Sequence, residues 1–63
     1  MRLTDFWARM DEAFGHTYAL SLARDYRLPV LRATVEEALA RGDEVKTVWR
    51  AVVAEFDVPA AIR

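Results

Sequence analysis

The chain holds two glycines and two prolines, at Gly15, Pro29, Gly42 and Pro59, and no other residue type interrupts a helix as strongly. They divide 63 residues into four pieces, each long enough for one short helix. Within every piece the apolar side chains recur at three- and four-residue intervals, the period of an amphipathic helix rather than of a half-buried strand. The spacing therefore predicts an all-α fold, a small compact bundle of four short helices over approximately 4–14, 17–27, 35–41 and 44–56. The whole of 1–63 reads as a single helical domain, with the last two helices in a helix-turn-helix-like arrangement.

Leu3, Phe6, Trp7, Met10, Ala13 and Phe14 share one face of the first helix. Thr4 is its expected N-cap, Asp5 and Arg9 are spaced to pair along its exposed side, and Gly15 is placed to end it in the left-handed conformation. The second stripe is Tyr18, Ala19, Leu22, Ala23 and Tyr26, with Leu20 pointing away toward Arg24 and Arg27. Pro29 disfavours helix at Leu28 and begins a connector or single turn. Thr34-Val35-Glu36-Glu37 matches the capping box, in which threonine and glutamate bond each other's backbone amides. Asp43 is the expected cap of the fourth helix, whose Val45, Val48, Trp49, Val52, Val53 and Phe56 form the cleanest apolar stripe and mark it as the central packing element. Val58-Pro59 ends it, and 60–63 reads as a frayed tail.

Composition narrows the function more than it names it. With no cysteine there are no disulfides and no thiolate metal sites, which points to a reducing, cytoplasmic setting. No apolar run reaches membrane-spanning length. A net charge of -1 exerts no overall pull on nucleic acid or anionic lipid. Nucleophilic catalysis needs a positioned base, and the one histidine, His16, stands at a helix junction with no carboxylate in a recognisable relation to it. Asp11-Glu12 and Glu36-Glu37 are adjacent on their helices and so diverge by about 100° instead of converging on a substrate. Neither a metal-ligand spacing nor a glycine-rich phosphate loop is present, so the expectation is a protein that is not an enzyme and carries no cofactor or metal.

Binding is the remaining class. Arg50 has Lys46 four residues before it and Ala54 four residues after, so no helical neighbour neutralises it. Beside it Thr47, Ala51 and Ala54 offer small side chains for close approach by a partner. The expected function is a non-enzymatic protein-interaction module using Arg50 with Thr47 and Ala54, or the side of the second helix carrying Leu20, Arg24 and Asp25. The alternative is a helix-turn-helix-like nucleic-acid binder using Lys46, Thr47 and Arg50, against which residues 34–57 hold three basic and six acidic side chains, a net of -3. A homodimer would also cover spare aromatic area among the seven aromatic side chains.

Met1-Arg2-Leu3-Thr4-Asp5-Phe6-Trp7, Phe14-Gly15, Tyr18, Ser21-Leu22-Ala23-Arg24-Asp25, Val48-Trp49-Arg50-Ala51-Val52 and Phe56-Asp57-Val58-Pro59 together resemble the short actinobacterial domain-of-unknown-function family 3046. The resemblance spans nearly the whole chain and implies no activity. It implies a stand-alone cytoplasmic protein, often encoded near the recombinase RecA and its regulator RecX, and a link to recombination or repair by that association. Its matching polar positions Arg24, Asp25, Arg50 and Asp57 are the implied binding candidates. The chain departs from the family pattern between Tyr26 and Thr34, where relatives tend to be longer and glycine-rich.

Overall fold

The computed structural model describes all 63 residues, and its elements are four α-helices: α1 Leu3–Phe14, α2 His16–Asp25, α3 Val35–Ala40 and α4 Val45–Glu55. Each helix packs on its neighbours in the chain, and α1 also packs on α4, so the four close into a ring around one core. Phe6 stands edge-on to Trp49 with centroids 5.9 Å apart, and Phe14 to Phe56 at 5.4 Å. Those two contacts lie one above the other, so α1 and α4 run in the same direction. The first and last stripes meet as expected, although α4 is one member of the ring and not its hub.

Phe6, Met10, Val35, Val48 and Val52 are fully enclosed, as their helical spacing requires. Leu3, Tyr18 and Tyr26 lie on the predicted apolar stripes yet are exposed. In a ring of short helices each stripe is covered on two sides, and residues at a stripe's edge or at a helix end have nothing above them. Leu20 is 48% exposed, as its place off the stripe requires.

The helix ends depart most from expectation. Thr4 does not cap α1: Arg2 is the N-cap, its carbonyl accepts the Phe6 amide at 3.0 Å, and Thr4 already lies inside the first turn. Gly15 has φ 82° and ψ 148°, outside the left-handed helical well, and serves as both the end of α1 and the start of α2. Asp43 does not cap α4 either, because Arg41 takes its carboxylate through Nε at 3.1 Å and Nη2 at 2.7 Å; Glu44 is the N-cap, without a side-chain bond. Only the Thr34–Glu37 capping box forms as predicted, with both reciprocal bonds in place.

Two segments outside the helices also contribute to the core. The connector closes as a turn in which the Leu28 amide donates to the Ala33 carbonyl at 2.9 Å, with Arg32 at φ 52°, and this turns Leu28, Leu31 and Ala33 inward while leaving Val30 75% exposed. The tail is not frayed. Val58 is buried, Ile62 packs on the core, and the backbone oxygen of Arg63 accepts bonds from Arg9 Nη1 at 2.9 Å and Trp49 Nε1 at 3.4 Å.

Candidate basic cleft between α1, α4 and the tail

Because α1 and α4 run parallel, their N-terminal halves stand side by side, and the returning tail closes the gap between them. The result is a concave space of about 320 Å³. Met1, Asp5 and Arg9, spaced at four-residue intervals on α1 and its lead-in, form one wall. Lys46, Trp49 and Arg50 of α4 form the other, and Arg63 closes the end. Four basic side chains thus share the lining with one acidic side chain, Asp5, in a protein whose net charge is -1. The floor is Trp49, 4% exposed, its ring wedged against Phe6 and its indole N–H directed to Arg63.

The cations of this cleft are not equally free. Arg9 spends one donor on the Arg63 backbone oxygen, and does not pair with Asp5 as the four-residue spacing suggested. Arg63 donates through Nε to the Val58 carbonyl at 3.0 Å. Lys46 and Arg50 form neither an ion pair nor a hydrogen bond with the rest of the chain. The expectation that Arg50 lacks a helical partner extends in three dimensions to the whole molecule.

Outside the cleft Arg24, Arg27 and Arg41 are engaged, whereas the exposed Arg2 and Arg32 side chains make no ion pair or hydrogen bond. Arg24 makes a two-point contact with Asp25, at 3.1 and 3.2 Å, and that bond holds the Asp25 carboxyl below its ordinary range and raises the guanidinium further. Arg27 reaches Glu37 at 3.5 Å and the Arg32 carbonyl at 2.7 Å; Arg41 holds Asp43 and the Leu31 carbonyl. The Tyr26 hydroxyl donates to the Glu55 carboxylate, which pushes its own deprotonation upward.

Of the residues singled out from sequence, the fold brings Lys46 and Arg50 together in the cleft and leaves Thr47 and Ala54 exposed on α4 outside its lining. Ala51 belongs to the core at 5% exposure and presents no small-residue surface. Leu20, Arg24 and Asp25 lie on α2, which packs against α1 and α3 and not α4, so they form a separate surface already neutralised by the Arg24–Asp25 pair. His16 does have a carboxylate neighbour: its Nδ1 lies 3.2 Å from Asp11, both groups exposed, because the turn at Gly15 folds α2 back toward the last turn of α1. No three histidine, aspartate or glutamate side chains converge as metal ligands, and no helix is long and apolar enough to cross a membrane.

Sequence reasoning missed Arg9 and Arg63. Arg9 looked committed to Asp5, and Arg63 follows Val58-Pro59 in a segment too short to show a periodic apolar pattern. The signal that was present is the basic pair Lys46 and Arg50 at i, i+4, which needed the parallel packing of α1 before it became a cleft.

No curated protein and no solved structure matches the chain. The model of the family described as "Protein of unknown function (DUF3046)" matches residues 1–61, nearly the whole length over which the four helices, the cleft walls and the buried Val58 are laid out. The chain belongs to the DUF3046 family.

Proposed function

We propose that this protein is a small non-enzymatic protein-interaction module that engages its partner through the basic cleft between α1 and α4. The observation that supports it is the state of Arg50 and Lys46: inside the concave site they lack any internal partner, while Arg24, Arg27 and Arg41 on the open surface are matched to carboxylates of the chain itself. An unmatched arginine beside a buried tryptophan is the kind of anchor that interfaces favour.

Nucleic acid is a poorer fit to the same site. The Trp49 ring is buried and offers no face on which a base can stack. Recombination and repair proteins are the first partners to test, given the gene neighbourhood that the family resemblance implies.

The test is capture from native cytoplasm with the wild-type protein, Arg50→Ala and Leu20→Ala. The expected result is a protein retained by wild type and Leu20→Ala and lost by Arg50→Ala. Retention that ignores Arg50 counts against the proposal. So does duplex DNA bound at low salt, released steeply as salt rises, and weakened by Lys46→Ala, which supports the nucleic-acid reading instead.

A further inference from the structure

The cleft also constrains what the partner must present. We infer that its occupant is an acidic segment carrying two carboxylates one helical turn apart, an inference that rests on the protein-interaction reading above and names the chemistry of the docking element.

Lys46 and Arg50 are the two cations of the cleft without internal partners, and four residues of α4 separate them by about 6 Å along the helix axis. A partner helix with carboxylates at i and i+4 repeats that spacing, so both ion pairs form at once. Arg50 can take a carboxylate in a two-point fork, whereas Lys46 meets it as a point charge. Arg9 stands on the α1 wall and Arg63 at the closed end, each with donors beyond the one already used, and they keep the site positive after the first carboxylate has entered. A single small anion satisfies only part of this arrangement, because four basic groups border a space of about 320 Å³.

A second copy of the chain does not supply the matching element. Its acidic residues stand at 5, 11, 12, 25, 36, 37, 43, 44, 55 and 57, and no two of them are three or four residues apart. No surface helix of the protein therefore presents the carboxylate pair, and the occupant is a different polypeptide.

The experiment is a titration of isotope-labelled protein, followed by amide and indole resonances, with a capped helical peptide bearing glutamates at i and i+4, its glutamine counterpart, and inorganic phosphate. Expected are shifts of the Lys46 and Arg50 amides and of the Trp49 indole N–H with the glutamate peptide, no response in α2, and loss of the effect with glutamine. Arg50→Ala is expected to weaken binding about tenfold, Arg50→Lys less, and added salt to weaken it progressively. The residue is exposed, so neither variant threatens the fold. Equal shifts from the glutamine peptide, shifts confined to other faces, stronger binding of phosphate than of peptide, or no shift at millimolar peptide each overturn the inference. If the peptide fails while a cellular partner still depends on Arg50, the interaction module stands without this docking element. If the peptide binds and no partner depends on Arg50, the acid-recognising cleft stands and the module reading falls.

Discussion

At Thr34 a hydroxyl accepts the Glu37 amide at 3.1 Å, and the Glu37 carboxylate accepts the Thr34 amide at 2.9 Å, so two donors that α3 leaves unpaired at its start are satisfied by side chains. The helix is only six residues long and depends on that start. Thr34→Ala is expected to cost about 1 kcal/mol, within a range of roughly 0.5–2, read from urea denaturation. The same bond from the Thr34 amide holds the Glu37 carboxyl below its ordinary range, as Arg41 does for Asp43. In both cases the unfolded chain binds protons more readily than the folded one. The stabilisation is therefore complete above the unfolded-state value of about 4 and is lost as pH falls through the lower folded-state value. Glu37→Gln keeps the capping geometry and removes one titration, so its stability is expected to decline less on acidification than that of the wild type. Gly15 is a backbone case: a side chain there meets no atom within 4 Å, yet φ 82° with ψ 148° is a conformation that only glycine adopts readily. Gly15→Ala is expected to cost about 1–3 kcal/mol without any steric clash, seen as a lower unfolding midpoint.

Among the elements, α1 and α4 close the ring through aromatic contacts. Phe6, fully enclosed, lies edge-on to both Trp7 at 5.2 Å and Trp49 at 5.9 Å and joins the two helices at the base of the cleft. Removing such a ring costs about 3–5 kcal/mol, comparable with the roughly 3–5 kcal/mol that a core of this size supplies. Phe6→Ala is expected to be unfolded at 25 °C by circular dichroism, and Phe6→Leu to remain folded with a lower midpoint. The connector behaves as an element of its own. Amides of Leu28, Leu31 and Arg32 donate within the turn, so they are expected to exchange with solvent deuterium more slowly than the amide of the exposed Val30.

On the scale of the whole molecule, the parallel course of α1 and α4 sorts charge along one axis. Lys46 sits in the first turn of α4, where the helix dipole disfavours a cation, and neither α1 nor α4 has a basic residue in its last turn, where one is favoured. Arg9, Arg50 and Arg63 border the same cleft. Lys46 thus adds to the positive charge of the cleft from a position that the helix dipole disfavours. Lys46→Glu is accordingly expected to raise stability by roughly 0.3–1 kcal/mol, measured by thermal unfolding, while abolishing the response to an acidic peptide. A change in the opposite direction for both properties contradicts the charge assignment of the cleft.

The sequence by itself determined the helices, their number and the inner faces of α1 and α4, because helix breaking by glycine and proline and the 3.6-residue period are local properties of the chain. It also determined the capping box and the exposure of Leu20. Tertiary structure alone decided which ends are capped, since Asp43 had a choice between the α4 amides and Arg41, and a cap competes with every other donor in reach. It decided that Leu31, Val58 and Ile62 seal the core, because burial of a residue outside any periodic segment depends on where the chain returns. It also decided the cleft, whose walls come from residues about forty apart in sequence and acquire a common charge only when two helices pack side by side in the same direction.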